Sequence, residues 1–196
     1  MLALYVTHPE VLLEPKVPST EWLLSPKGRA RAQAFADRGA LPANARIIAS
    51  TEFKTMETAA ILAQGRPFET SDGLRENIRT GSGFLSPEDF ERQFHAMFAR
   101  PAESSGGWET AVDTQRRVVA AVEAALIDQS LTTIFVGHGS AGTFLKCAVD
   151  GRPISRSEEQ REMAWPGGGN VFAFDWAART LVRDWQTFED FAPISD

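Results

Sequence analysis

Two of the three histidines in this 196-residue chain stand directly behind apolar, strand-like runs. Leu2-Ala3-Leu4-Tyr5-Val6 breaks off into Thr7-His8-Pro9, and Thr132-Thr133-Ile134-Phe135-Val136 breaks off into Gly137-His138-Gly139-Ser140. A short run of β-formers with a polar stop reads as a buried strand entering a loop. In an open α/β sheet, ligands sit beyond the carboxyl ends of the strands. Both imidazoles are therefore placed where a side chain can act as a nucleophile or move a proton. The alternative for each is a strand-end histidine that only hydrogen-bonds a loop. Lys54 is aimed at the same rim, since it falls in the first turn of a helix that follows the short strand Arg46 to Ser50. His95 lies inside a helical segment and is expected on the surface or in packing.

Holding these side chains at one rim takes repeated strand–helix alternation, which gives an α/β fold with a largely parallel central sheet and helices on both faces. Ser25-Pro26 opens the first helix, with serine as N-cap and proline at the first helical position; Ala30, Ala34 and Phe35 supply its apolar face, and Gly39 ends it. In the helix after Ser50, Phe53, Met56, Ala60 and Ala63 fall at core-facing spacing, with Lys54 and Thr58 on another face. Pro67 to Thr70 is a weak strand. Residues 77–107 read as a small helical cap inserted over the sheet, carrying the aromatic stripe Phe90, Phe94, Met97 and Phe98. The stretch from Trp108 to Gln129 forms the longest helix, with Val112, Val118, Val119, Val122 and Leu126 inward. A helix from about Ala141 to Val149 follows the second histidine. The glycine-rich loop Trp165 to Asn170 leads into two closing strands, Val171 to Asp175 and Thr180 to Trp185. The whole chain reads as one domain, as its length suggests.

Composition closes off several functions. With 43% hydrophobic and 23% charged residues the chain has an ordinary globular balance, and its net charge of -6 gives no basic field for nucleic acid. No apolar run approaches the roughly 18 residues needed to span a membrane. The one cysteine, Cys147, cannot make an internal disulfide, and no Cys cluster suggests structural zinc. The N-terminus has no basic segment ahead of a long apolar one, so a cytoplasmic protein is expected. His138-Gly139-Ser140-Ala141-Gly142 brushes against the serine-hydrolase elbow, but histidine replaces its first glycine and no histidine follows Ser140 to complete the usual order. A dinucleotide site would need Gly-x-Gly-x-x-Gly between a strand and a helix, whereas Gly167-Gly168-Gly169 precedes a strand.

Five segments in sequence order resemble the histidine phosphatase superfamily, the phosphoglycerate-mutase-like proteins. Thr7-His8-Pro9 stands where that family has Arg-His-Gly, and Leu24-Ser25-Pro26-Lys27-Gly28-Arg29 resembles its Leu-Thr-x-x-Gly-Arg. Ser50-Thr51-Glu52-Phe53-Lys54-Thr55-Met56-Glu57-Thr58-Ala59 resembles Ser-Ser-Pro-x-x-Arg-x-x-Gln-Thr-Ala, with Lys54 at the arginine. Leu74-Arg75-Glu76 is similar to the segment bearing the family's acid, and Val136-Gly137-His138-Gly139 to that bearing its second histidine.

The resemblance implies metal-independent hydrolysis of a phosphomonoester, with His8 as nucleophile, His138 beside it and Glu76 as proton donor. Phosphate oxygens would meet Lys54, Thr7 and Gly139, with Arg75 and Arg79 replacing missing cations from the cap side, and Asn170 would line the substrate. The implied partner is a small phosphorylated substrate or inorganic phosphate, with no cofactor and no metal. The short cap favours a phosphatase over a mutase. Thr7 and Lys54 in place of arginines leave less positive charge than the pattern carries, so a protein of this fold that binds phosphate with weak or no turnover is the alternative. The sequence leaves the oligomeric state open, a homodimer among the options.

Overall fold

Buried parallel strands are apolar on both faces, and the two runs that precede the histidines meet that requirement most fully. In the computed structural model, which describes residues 2–81, 83–127 and 131–194, these runs become β1 (Leu2–Thr7) and β4 (Thr133–Gly137) at the centre of the sheet. They pair in parallel with Thr7 opposite Gly137, so both end at one level and residues 8 and 138 leave the sheet side by side. β2 (Arg46–Ser50) lies parallel on the far side of β4, and β3 (Glu69–Ser71) lies parallel beyond it. β5 (Asn170–Asp175) runs antiparallel to β1, and β6 (Thr180–Thr187) closes that edge as a hairpin. The six-stranded sheet has the order β3-β2-β4-β1-β5-β6.

α1 (Pro26–Asp37) and α2 (Phe53–Ala63) cover one face, burying Phe35, Ala59 and Leu62 against Leu4, Val6 and Ile134. α4 (Ala111–Ala125) and α5 (Gly139–Val149) cover the other, with Val118, Val122 and Leu145 against Tyr5, Phe135 and Phe172. Between them in sequence, α3 (Pro87–Ala99) sets Phe94, Met97 and Phe98 against Trp108 and against Phe144 of α5. Among the described residues no helix is long and apolar enough to cross a membrane.

Helix phases differ from the sequence expectation. α1 buries Gly28, Ala32, Phe35 and Ala36, leaving Ala30 and Ala34 exposed. Its alanines do not set the phase; Phe35, stacked on Phe188 at 4.4 Å, does, together with Gly28, where a Cβ would overlap the Glu10 carbonyl. α2 turns Thr55, Thr58, Ala59 and Leu62 inward and leaves Phe53 and Ala60 exposed. The threonines bury because their hydroxyls donate to Ser50 O (2.9 Å) and Lys54 O (2.7 Å), leaving no unpaired polar group. α4 starts at Ala111 behind a Thr110 cap, and Trp108 instead bridges to Arg79. The expected helix end at Gln129 lies outside the described residues.

Tyr5 ties this scaffold to the rim. Its hydroxyl accepts the His138 N–H (3.0 Å) and donates to the His138 carbonyl (3.3 Å). A Cβ at Gly137 or Gly142 would overlap the Tyr5 side chain, so both positions need glycine. Tyr5→Phe strands a buried N–H and is expected to cost about 1–3 kcal/mol in a urea melt.

Candidate active site

His8 follows β1, and its backbone is held on both sides. Its N–H donates to Gly137 O (3.0 Å), and its carbonyl accepts the Gly169 N–H (3.1 Å). The loop needs glycine at 168, where φ is +74° and a Cβ would overlap the His8 carbonyl. The ring is fixed by Nδ1 bonding the Pro9 carbonyl at 2.9 Å. A carbonyl can only accept, so Nδ1 carries the proton and Nε2 keeps the lone pair. Burial, with the nearby Lys54 charge added, lowers the His8 pKa to about 4, so the ring is neutral at pH 7.

The His138 ring lies edge-to-face with that of His8, centroids 5.2 Å apart and planes at 72°. Its Nε2 is 3.0 Å from Ser50 Oγ at the end of β2. Ser50 Oγ also accepts the Glu52 N–H (3.4 Å) and has a proton of its own to offer Nε2. His138 Nδ1 is buried and makes no hydrogen bond among the described residues, so it is the ring nitrogen left for a ligand. Burial holds the His138 pKa well below the ordinary histidine value, against the pull of Glu52 and with help from Lys54, His8 and Arg79.

A residue passed over in the sequence organises the charges here. Glu52 stands at the N-cap of α2, but its side chain makes no capping bond and points into the site. One oxygen meets Lys54 Nζ at 2.6 Å. The other accepts the Glu76 N–H (3.1 Å) and lies 3.6 Å from His138 Nε2 and 4.0 Å from Arg75 Nε. Burial pushes the Glu52 carboxyl up, but the Lys54 charge and the Glu76 N–H outweigh it and hold it below the usual carboxylate value. Lys54 also donates to Ser19 O (2.6 Å), so much of its charge is spent inside the protein. Removing one partner of such a pair leaves a buried charge alone. Glu52→Ala is expected to destabilise by about 3–5 kcal/mol, with most of that recovered in the Glu52→Met/Lys54→Met double variant, both read by denaturant melts.

The other expected site residues divide. Glu76 sits at the N-terminus of α5, where its carboxylate accepts from Ala141 N (3.2 Å), Ser140 N (3.4 Å) and Asn77 N (2.9 Å). These donors hold the Glu76 carboxyl beside the start of α5, next to the His138–Gly139 segment. Arg79 is clamped between two rings, its guanidinium carbon 4.6 Å from the Trp108 centroid and 4.8 Å from that of Phe90. Its Nε is buried without a hydrogen bond among the described residues, and burial lowers its pKa against the opposing fields of Glu76 and Glu52. Arg75 is about one-third exposed. Thr7 and Asn170 are fully buried. Thr7 donates to Gln160 Oε1 (2.8 Å) and accepts the Asn170 N–H (3.0 Å). Asn170 spends its amide on Trp165 and Gln160. Gly139 opens α5, and a Cβ there would overlap Gln160 Nε2. His95 is exposed on α3, away from this group.

Solved structures share this arrangement of strands and helices. A mycobacterial glucosyl-3-phosphoglycerate phosphatase in complex with inorganic phosphate superposes with a TM-score of 0.71 at 18% identity, covering 94% of this chain and 93% of that one. A complex of the same phosphatase with VO3 gives 0.70 at 18% identity, over 88% and 91% of the two chains. Bacillus stearothermophilus YhfR gives 0.72 at 20% identity, over 93% and 94%. At these identities the likeness is one of fold. A search of the curated proteins finds no match. Family membership comes from the sequence itself: residues 16–164 match the model of the histidine phosphatase superfamily (branch 1), and the chain belongs to that superfamily.

Proposed function

We propose that this protein hydrolyses small phosphomonoesters without a metal, through transient phosphorylation of His8 Nε2. The observation that carries the reading is the pairing of a neutral imidazole, its Nε2 lone pair fixed by the Pro9 carbonyl, with a second ring whose Nδ1 is unspent. His8 Nε2 attacks phosphorus as the ester P–O bond breaks. The His138 Nδ1–H and the Arg79 guanidinium answer the charge on the equatorial oxygens. Glu76, entering the cycle as the protonated acid, gives its proton to the departing alkoxide, then as the carboxylate takes one from the water that releases phosphate from His8 and is ready again. The phosphate and VO3 held by the mycobacterial phosphatase support this class of ligand.

Lys54 neutralised by Glu52, and Thr7 turned into the interior, favour a second reading, a phosphate-binding protein with little turnover. Rapid quench with a 32P-labelled phosphomonoester decides between them. Acid-labile, base-stable label on His8 supports catalysis; bound phosphate without label or release favours binding alone.

Catalysis through neutral His8 also fixes the acid limb. The pKa is depressed, so the lone pair is available above about pH 4 and lost as pH falls through that value. With the substrate's own ionisation at about pH 6 divided out, the acid limb that His8 contributes to kcat/KM is expected near pH 4 and not near the ordinary histidine value of about 6.5.

A further inference from the structure

We infer that Gln160 is a phosphate-binding residue, its side-chain Nε2 donating to an anion's oxygen beside His8 and His138. The inference rests on the proposed location of the phosphate and adds a residue from the far end of the chain. Gln160 is only 7% exposed. Its orientation follows from its neighbours. The Trp165 N–H donates to Asn170 Oδ1, so Asn170 Nδ2 is the donor that reaches both the Trp165 carbonyl and Gln160 Oε1, each at 2.8 Å. Thr7 Oγ1 receives the Asn170 N–H and sends its own proton to the same Oε1 at 2.8 Å. Two donors converge on one oxygen, so the amide cannot flip. Its NH2 must face the opposite way.

That side is the rim. Gln160 Nε2 lies so close over Gly139 that a Cβ there would overlap it. Gly139 directly follows His138, and Thr7, which holds the other end of the amide, directly precedes His8. The NH2 thus sits where the two histidine segments converge, and it makes no hydrogen bond among the described residues. Gln160 Nε2 is not among the fully buried unpaired atoms, so this NH2 is open at the rim, and a tetrahedral oxyanion between the histidines supplies an acceptor for it. Thr7 contributes by fixing Gln160, so a neutral amide does at this rim what a longer cationic side chain at position 7 would otherwise do.

The test is a titration of the full chain with inorganic phosphate, followed by calorimetry and by the Gln160 side-chain NH2 resonances in a 15N-labelled sample, assigned by their loss in Gln160→Glu. The NH2 signals are expected to move downfield at saturation. Gln160→Glu keeps the Oε1 acceptor but turns a second carboxylate oxygen toward the anion, and is expected to weaken phosphate at least about tenfold with little change in Tm. Static NH2 signals at saturation, or unchanged affinity in the folded variant, overturn the inference. If the resonances move but no phosphohistidine forms, Gln160 stands and His8 catalysis falls. If label forms on His8 but Gln160→Glu binds phosphate normally, the reverse holds. Absence of any phosphate binding overturns both.

Discussion

His8→Ala is expected to remove turnover, lowering kcat/KM by at least about 10³-fold with every leaving group, while inorganic phosphate still binds. The nucleophile is the one group whose loss no neighbour can cover: His138 Nε2 is engaged by Ser50, and the proposed part of its Nδ1 is to donate a proton to the phosphoryl group. Stability should change little. The bonds that place this segment belong to the His8 backbone, which meets Gly137 O and the Gly169 N–H, whereas the ring spends only Nδ1 on the adjacent carbonyl. Phosphohistidine should vanish in the variant, with Tm and phosphate affinity close to wild type. A variant that loses stability and activity in equal proportion would instead mark His8 as a structural histidine of the β1 end.

The site's centre was readable in the sequence because its two signals are local. Each histidine interrupts an apolar run at a strand end, and a strand end in this fold class is a rim position by construction. That the two rings would stand 5.2 Å apart was not local information, since it depends on β1 pairing β4 with Thr7 opposite Gly137. Glu52 and Gln160 were missed for related reasons. Glu52 lies two residues from Lys54, a spacing that favours no pairing along a regular helix. The two meet because Glu52 precedes the helix in extended conformation. Gln160 reaches Thr7 across 153 positions from a helix of four residues that carries no periodicity. Thr7 and Asn170, singled out for the ligand, turn out to spend their polar atoms on each other and on Gln160, because a buried hydroxyl and amide must be satisfied before anything is offered outward. The helix phases went astray where alanine and threonine carry the face: alanine is indifferent to burial, and threonine can be buried once its hydroxyl finds a carbonyl.

Glu76→Gln separates the two half-reactions. The amide keeps an oxygen to accept from Ala141 N and Asn77 N, and the position at the start of α5 tolerates a neutral polar group, so the fold should survive with a loss of no more than about 1 kcal/mol. Proton transfer does not survive. With an alkyl phosphate, whose alkoxide must be protonated as it leaves, the rate is expected to fall about 10²–10⁴-fold. With p-nitrophenyl phosphate the leaving group needs no proton, so His8 should still be phosphorylated at close to the wild-type rate. The water that clears it has lost its base, however. Stopped flow should then show a burst of nitrophenolate near one equivalent per protein, followed by a slow steady state, with phosphohistidine accumulating to a level that wild type does not reach. A uniform loss across both substrates, with no burst, would mean that the Glu76 carboxylate serves to hold α5 and His138 in place and that the proton comes from another group.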